Sequence, residues 1–394
     1  MNRVLRPTIV PFVSFPYEWS FSQLKVAALL TLSIMRRSLE REMVLKDASA
    51  YNVQFLGSRP IFVDTLSFER YVVGEPWVAY RQFCQHFLAP LVLMSRVDLR
   101  LGQLAQTNID GIPLDLATAL LPGRSKLRPG IATHLVLHAN VQKRFAKSTR
   151  SKTASHRAKV SRVGLQAIVN SLESTIKGLR VGNVETEWKD YAAEDSYSAA
   201  AAAAKRRLVG EFLANIGRSD LVLDLGANKG DFSVLASKHA DYVVAVDMDP
   251  AVLDILHAQL AATDNRQILP LRVDLAVPSP AIGWDNTERP AFKERTPDAT
   301  VLALAVLHHM AIGNNVPMRH IAKFLSGFAR NLIVEFVPKS DPQVQRLLGA
   351  REDVFPRYSR ECFEADFGAY YGIRRRQLID ASDRTLYLME RRHA

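Results

Sequence analysis

Two glycines and an aspartate near the middle of the chain have the spacing of a small-ligand site. Gly226 and Gly230 follow an apolar run that contains Asp224 near its end, and Asn228 lies between the two glycines. Glycine lets the backbone bend sharply and lets a ligand lie against it, and the carboxylate adds a hydrogen-bond acceptor. Residues 221–232 therefore predict a turn that cradles a small molecule.

Carboxylates also follow the next two apolar runs of this half of the chain. Asp247 and Met248 follow one run, and Asp274 and Leu275 follow the other. A fixed carboxylate after the second strand of such a unit can accept hydrogen bonds from both hydroxyls of a ribose, which makes Asp247 the candidate for that contact. A helix cap or a turn is the alternative at these positions, because lone aspartates commonly serve there.

Two adjacent histidines follow a fourth apolar run. Because an imidazole titrates near neutral pH, His308 or His309 could take a proton from a reacting hydroxyl or amine. Packing or capping is the alternative role for both side chains. We therefore predict the pair as a candidate for proton transfer.

These candidates need a framework in which short strands alternate with helices. After the run that contains Asp224, the predicted strands are Tyr242–Val246, Ile268–Val273, Thr300–Leu307, Asn331–Val337 and an antiparallel pair, Ile373–Ile379 and Thr385–Glu390. The predicted helices are Tyr191–Leu213, Asp231–His239 and Ala251–Ala262. The pattern is typical of an α/β fold with a parallel sheet, which binds ligands at the carboxyl ends of its strands.

The ordered series resembles the class I methyltransferases that use S-adenosylmethionine (SAM), over about residues 186–394. The glycine spacing is G-x-x-x-G, whereas a dinucleotide fingerprint has G-x-G-x-x-G. The resemblance implies a Rossmann-like, seven-stranded domain and a helix at 191–213 that covers the cofactor. It also implies that SAM contacts Asp224, Gly226, Asn228, Gly230, Asp247, Met248, Asp274 and Leu275, the last two at the adenine, and that His308 and His309 are the catalytic candidates.

The chain has 394 residues, of which 48% are hydrophobic, and is long enough for two or three domains. We predict a mainly helical N-terminal domain over 1–125, a basic helical or linker segment over 126–185 and the methyltransferase domain over 186–394. Long helices are predicted in the first domain over Phe21–Glu42 and Trp77–Met94, because apolar residues recur there at helical spacing.

Three polar residues between those helices resemble the catalytic and metal loops of a kinase-like C-lobe. The resemblance implies that Asp47 is a base and that Asn52 and Asp64 hold magnesium. However, no Gly-rich loop is visible, about twenty residues precede the first helix, and Thr-Leu follows Asp64 in place of Phe-Gly. We therefore expect a kinase-like remnant or an unrelated helical domain, rather than a working kinase.

Four stretches extend the resemblance over nearly the whole chain. PYEWSFS at 16–22, LKDASAYNVQ at 45–54, PWVAYRQF at 76–83 and AVLHH at 305–309 are similar to a bacterial family of two-domain methyltransferases that includes NoeA-type, host-specific nodulation proteins. This resemblance also implies SAM binding. By analogy alone, the nodulation role suggests a glycan or lipo-oligosaccharide acceptor, and a small molecule is the other acceptor that we favour.

The net charge of +11 comes from one segment. No acidic residue occurs in 116–172, whereas eleven basic residues do: Arg124, Lys126, Arg128, Lys143, Arg144, Lys147, Arg150, Lys152, Arg157, Lys159 and Arg162. The segment 124–162 could bind nucleic acid or an anionic surface, and an RNA-directed methyltransferase is an alternative function. A solvated linker is the simpler interpretation, because Phe145 is the single aromatic residue among these charges.

The two cysteines, Cys84 and Cys362, suit neither a disulfide framework nor a zinc site. We therefore expect a reducing, cytoplasmic environment and no bound metal. The longest apolar stretch, near Val26–Met35, is too short to span a bilayer, so no transmembrane segment is predicted. A non-catalytic SAM-binding or regulatory module is the remaining alternative to an enzyme.

Overall fold

The computed structural model describes residues 9–140, 159–182, 198–349 and 353–392. The chain divides into two compact units, Met1–Val184 and Glu185–Ala394. Within the described ranges, no helix is both long enough and apolar enough to cross a membrane.

The first unit is mainly helical. Its longest helix, α1 (Phe21–Leu39), begins at Ser20, whose hydroxyl accepts a hydrogen bond from the Gln23 amide. The others are α2 (Tyr80–Phe83), α3 (Ala89–Arg96), α4 (Leu104–Thr107), α5 (Leu114–Leu120), α6 (Gly123–Lys126), α7 (Pro129–Ile131) and α8 (Arg162–Gly178). A π-helical segment, Cys84–Leu88, joins α2 to α3, so the helix predicted over 77–94 is continuous but runs from Tyr80 to Arg96.

Four short strands complete the first unit: β1 (Met43–Leu45), β2 (Val53–Leu56), β3 (Arg59–Phe62) and β4 (Phe68–Arg70). Strands β2 and β3 form an antiparallel hairpin, and β1 pairs antiparallel with β4. Phe55 of the hairpin is buried and meets Trp19 edge to face at 5.0 Å, which fixes the hairpin to the hydrophobic core of this unit.

The second unit alternates strands and helices. Its strands are β5 (Ser219–Leu225), β6 (Ala240–Asp247), β7 (Ile268–Arg272), β8 (Ala299–Ala303), β9 (Ala329–Phe336), β10 (Tyr371–Leu378) and β11 (Thr385–Arg391). Its helices are α9 (Ala199–Ile216), α10 (Asp231–Ala236), α11 (Pro250–Ala262), α12 (Met318–Ser326), α13 (Pro342–Gly349) and α14 (Arg360–Gly368). Short 3₁₀ turns interrupt the connections in both units.

All seven strands form one sheet, in the order β10-β11-β9-β8-β5-β6-β7. Strands β5 to β9 are parallel, and β11 runs antiparallel to both of its neighbours. Numbered from the first strand of the unit, the order is 3-2-1-4-5-7-6, which is the strand order of class I SAM-dependent methyltransferases. The predicted fold is therefore confirmed.

The central strands are buried on both faces, which explains their apolar composition. In β6, for example, Val243, Val244 and Val246 have no exposed surface. Such continuous runs of β-branched residues are expected where helices cover both sides of a parallel sheet. Helix α9 packs Leu208 and Phe212 into the core of the sheet. The predicted start of this helix, at Tyr191, lies outside the described residues.

The fourth strand of the unit is shorter than predicted. We expected a strand over Thr300–Leu307, but β8 ends at Ala303. The reason is local, since Ala305 has a φ of 54° and turns the chain out of the extended conformation. His308 and His309 therefore lie beyond a turn, and a π-helical turn begins at His309.

Candidate functional site

The turn after β5 is held against the end of β6 by backbone hydrogen bonds. The amides of Gly226 and Ala227 both donate to the carbonyl of Val246, at 2.8 and 2.9 Å, and Gly230 donates to the carbonyl of Ala227 at 2.8 Å. The carboxyl ends of two neighbouring parallel strands are thereby joined. This is the edge at which α/β sheets bind their ligands.

Both glycines of the turn are required by its shape. Gly226 and Gly230 have φ values of 75° and 85°, a region that other residues enter with strain. A Cβ atom on Gly226 would lie 2.6 Å from Val306, and one on Gly230 would lie 2.5 Å from Leu256. The predicted sharp turn is therefore also a close-packed one.

Asp224 lies beneath this turn and is almost fully buried, with 2% of its surface exposed. Its carboxylate accepts a hydrogen bond from the hydroxyl of Ser233, at 2.6 Å. Burial raises the pKa of Asp224 to about 6, and the nearby charge of Asp247 acts in the same direction. Asp224 thus ties β5 to the first turn of α10 and supports the glycine turn from below.

Asp247, at the end of β6, reaches across to the glycine turn. One carboxylate oxygen accepts from the amide of Asn228 and the other from the amide of Asp249, each at 2.9 Å. Burial raises the pKa of Asp247. A carboxylate oxygen has two lone pairs, so these bonds leave each oxygen able to accept another hydrogen. Met248 beside it is 47% exposed.

Two buried oxygens near Asp247 have no hydrogen-bond partner among the described residues. They are Oδ1 of Asn228 and Oδ2 of Asp249, whose other oxygen caps α11 by accepting from the amide of Ala251 at 2.8 Å. Buried polar atoms are normally paired, so unpaired ones at a strand edge indicate a place for a ligand. The residues present fit a cofactor with donor groups, such as the ribose hydroxyls of SAM.

Asp274 and Leu275 follow β7 at the same edge of the sheet, and both are half-buried. The Asp274 carboxylate accepts from the amide of Ala276 at 2.9 Å and so closes a turn. The amide of Val273 donates to the backbone carbonyl of Asp247 at 2.9 Å, which brings the ends of β6 and β7 together. Asp274 thus stabilises a turn, which was the alternative role predicted for it from the sequence. Its strand end lies beside that of Asp247, the predicted ribose contact.

The two histidines lie side by side, with ring centroids 4.1 Å apart. His308 has no exposed surface, and neither of its ring nitrogens has a hydrogen-bond partner within the described parts of the chain. Burial, followed by the charge of Arg384, lowers the pKa of His309 to about 4. Burial also lowers the pKa of His308 well below its ordinary value, with His309, Arg384 and Lys205 adding to the effect. Both rings are therefore neutral at pH 7.

The kinase-like candidates of the first unit serve as turn and hairpin contacts. The side-chain amide of Asn52 donates to the hydroxyl of Ser67 at 3.0 Å, and that hydroxyl donates to Asp64 at 2.6 Å. Asp47 accepts from the amide of Ser49 at 2.9 Å. In the described residues, no group of three or more histidine, cysteine, aspartate or glutamate side chains is arranged to hold a metal ion.

Comparison with known proteins assigns the chain to a family. No protein-family model matches it. It is 37% identical over 392 residues to the nodulation protein NoeA of Rhizobium meliloti (strain 1021), and the match covers 99% of this chain and 82% of NoeA. The chain belongs to the NoeA family. The resemblance predicted from the four sequence stretches is thereby confirmed.

Several solved structures are similar to about half of this NoeA-family chain. They include the bifunctional kinase-methyltransferase WbdD, at 18% identity over 51% of this chain and 41% of WbdD, with a TM-score of 0.34. The N-methyltransferase NodS from Bradyrhizobium japonicum WM9, crystallised with S-adenosyl-L-homocysteine (SAH), matches at 10% identity over 53% of this chain and 100% of NodS, with a TM-score of 0.39. The chain thus spans less than half the length of WbdD.

The second unit of this NoeA-family chain has the fold of a class I methyltransferase domain. This assignment rests on its strand order, rather than on the distant structural matches. The glycine turn, Asp247 and Asp274 all lie at the carboxyl edge of its sheet, as their order in the sequence predicted.

One group of buried charges near the histidines was not predicted from the sequence. The ammonium of Lys205 is 2.7 Å from one oxygen of Glu335, whose other oxygen is 3.3 Å from the guanidinium of Arg384. Arg384 also donates twice to Asp341, at 2.6 and 3.1 Å. We call these four side chains the ion network. Lys205 and Arg384 are far from Glu335 and Asp341 in the sequence, and the glutamate within the apolar run of β9 was the one local sign of the network.

Proposed function

We propose that this protein transfers a methyl group from SAM to a small-molecule or glycan acceptor. The observation that carries the proposal is the glycine turn, held to the end of β6 and bordered by Asp247 and the unpaired oxygen of Asn228. This combination offers a close backbone approach, a carboxylate for the ribose hydroxyls and an unsatisfied acceptor in one place.

Each predicted cofactor residue has a distinct task in this proposal. Gly226 and Gly230 would let SAM lie against the backbone, with Asp224 supporting the turn from below. Asn228 and Asp247 would accept hydrogen bonds from SAM. Met248, Asp274 and Leu275 would border the adenine, since they follow β6 and β7 at the same edge.

SAM supplies a methyl group that its sulfonium already activates. The protein therefore has to orient the acceptor, exclude water and accept a proton where the acceptor carries one. His308 is buried, His309 is half-buried and both are neutral, so either ring can accept a proton.

The test is to incubate the purified protein with methyl-labelled SAM and a fractionated cell extract. We expect label to enter a small-molecule or glycan fraction. The Asp247→Ala variant should lose the transfer, whereas Asp220→Ala should keep it, because Asp220 is an exposed aspartate of β5 outside the site. Binding of SAM without transfer to any fraction would contradict the proposal and favour a non-catalytic module.

RNA is the second candidate acceptor. It is favoured by the basic segment 124–162, of which Arg124, Arg128, Lys159 and Arg162 are exposed, while residues 143–157 lie outside the described part. Label entering an RNA fraction, with RNA binding that falls steeply as salt increases, would support it.

We also propose a cytoplasmic location, because both cysteines are unpaired.

A further inference from the structure

The ion network brings two positive and two negative side chains together with almost no solvent. Lys205 comes from α9, Glu335 from β9, Asp341 from the residue before α13 and Arg384 from the residue before β11. Their side chains are 8%, 0%, 8% and 3% exposed, respectively. Burying charges is costly unless each is paired, and here the two cations balance the two carboxylates.

His308 lies beside this network and has no hydrogen-bond partner of its own. Burial is the largest cause of the lowered pKa of His308. His309 on the same turn, Arg384 and Lys205 lower this pKa further. A buried polar group that is left unpaired destabilises the protein. The two unpaired ring nitrogens of His308 therefore indicate that a ligand supplies a partner there.

The surroundings of His308 discriminate among the atoms that could accept a methyl group. A carboxylate has no proton to give, and the cations that would attract it are already neutralised by Glu335 and Asp341. An ammonium nitrogen has no lone pair with which to attack the methyl carbon, and His308 is a weak base for removing its proton, because burial lowers the pKa of this ring. A hydroxyl is uncharged, and its O–H can donate to a neutral imidazole.

We propose that the acceptor atom is a hydroxyl oxygen, that His308 receives the hydroxyl proton, and that the ion network positions the cations beside His308. This inference rests on the proposed methyltransferase function. The acceptor oxygen forms a bond to the methyl carbon as the carbon–sulfur bond breaks, and the electron pair of that bond remains on sulfur. The hydroxyl proton moves to a ring nitrogen of His308 and then to solvent, so the product is a methyl ether.

The type of bond that holds the labelled methyl group identifies the acceptor atom, even when the acceptor molecule itself is unidentified. A methyl ether survives mild alkali and is cleaved by boron tribromide, which removes the labelled methyl group, and we expect this behaviour. Release of labelled methanol by alkali would show an ester, and a label that resists both reagents would show a methylated amine. Either result would overturn the inference while leaving the methyltransferase function intact. Absence of label in every fraction would instead contradict the proposed function.

A histidine variant tests the proton acceptor. We expect His308→Asn to lower the transfer rate by at least about 100-fold, which is the usual range for loss of a general base. Its affinity for SAH should stay within about twofold of the wild type, as measured by calorimetry. His320→Asn is the matched control, because His320 is exposed on α12. Full activity in His308→Asn would overturn the role of this residue.

The pH profile tests the positioning role of the network. The variant Lys205→Met removes one cation beside His308 and leaves Glu335 paired with Arg384. We expect the acid limb of its kcat/KM profile to move to higher pH, by about one unit. Lys205→Arg should keep the wild-type profile, because it keeps the positive charge. If the rate falls while the acid limb stays in place, the network has a structural role alone, and this part of the inference is wrong.

Discussion

The two sides of the candidate site stabilise their carboxylates in different ways. On the proposed cofactor side, formed by residues 224–249, Asp247 accepts from two backbone amides and Asp224 from the hydroxyl of Ser233. On the proposed acceptor side, formed by His308, His309 and the ion network, Glu335 and Asp341 pair with cations instead. The carboxylates of the cofactor side are thus stabilised by uncharged hydrogen-bond donors of one strand-helix-strand unit. Those of the acceptor side are stabilised by the charged side chains of Lys205 and Arg384, which come from separate parts of the fold.

This difference has consequences for stability and for function. Backbone amides stay in place when a side chain of the cofactor side is changed, so such changes should affect ligand binding more than folding. Removal of one charge from the acceptor side leaves another charge buried and uncompensated. The predictions below test this contrast.

The largest effect is expected for Glu335→Ala. This variant leaves Lys205 buried without its carboxylate and takes one partner from Arg384, so we expect the free energy of unfolding to fall by about 3–5 kcal/mol. Chemical denaturation measures the change. The double variant Lys205→Met/Glu335→Leu keeps the Arg384–Asp341 pair and should recover most of the loss. A loss below about 1 kcal/mol in Glu335→Ala would show that the network carries little of the stability.

The pH dependence of stability should differ in sign between the two sides. Asp224 has a pKa of about 6 in the folded protein, above its ordinary value near 4, so the folded state binds more protons between these values. Its contribution to stability therefore falls as pH rises from 4 to 6 and is constant above. We expect Asp224→Asn to raise the free energy of unfolding at pH 7 by on the order of 2 kcal/mol, with the gain vanishing below about pH 4.

His309 should show the opposite trend. Its pKa is about 4 in the folded protein and near 6.5 when unfolded, so the unfolded state binds more protons between these values. Its contribution to stability is complete above about pH 6.5 and is lost as pH falls towards 4. We expect His309→Asn to flatten the decline in stability below pH 6.5, as followed by denaturation at each pH. A decline as steep as in the wild type would contradict the assigned environment of His309.

Two glycine variants test the shape of the cofactor turn. Gly230→Ala places a Cβ at a φ of 85° and 2.5 Å from Leu256, so we expect a loss of about 1–2 kcal/mol in stability and weaker SAH binding. Gly210→Ala is the matched control, since Gly210 lies within α9 and its Cβ would make an ordinary contact at 3.8 Å with Leu235. That variant should gain about 0.5–1 kcal/mol. Equal effects of the two changes would argue against a strained turn.

The smallest effect is expected for Asn228→Gly. Glycine tolerates the φ of 47° at this position, so the variant removes the unpaired oxygen and leaves the turn unstrained. We expect SAH to bind about five- to tenfold more weakly, which corresponds to one hydrogen bond of about 1 kcal/mol. Stability should be unchanged or slightly higher. Unaltered SAH affinity would remove Asn228 from the cofactor contacts.

The same contrast explains what the sequence could predict. Strands β5 to β7 and their glycine turn lie in one continuous stretch, so apolar periodicity and the residues Gly226, Gly230 and Asp247 were sufficient to predict these strands and the turn at the carboxyl edge of the sheet. The end of β8 was misplaced because nothing in the apolar run around Ala305 indicates its positive φ.

The ion network could not be predicted from the sequence for a physical reason. In the sequence, Lys205 is followed by two further basic residues, and Arg384 follows a serine and an aspartate. Each therefore resembles a residue of the solvent-exposed surface. Their burial follows from the packing of α9 and of the β10–β11 hairpin around the end of β9, which a single sequence does not reveal.

The most direct measurement is a calorimetric titration of SAH into the wild-type protein, Asp247→Ala and His308→Asn at pH 7. We predict that the wild type and His308→Asn bind one equivalent of SAH with similar affinity. Asp247→Ala should bind at least about 100-fold more weakly, since it loses charge-assisted bonds to two hydroxyls. Absence of binding in the wild type, or undiminished binding in Asp247→Ala, would contradict the assignment of this edge of the sheet to SAM.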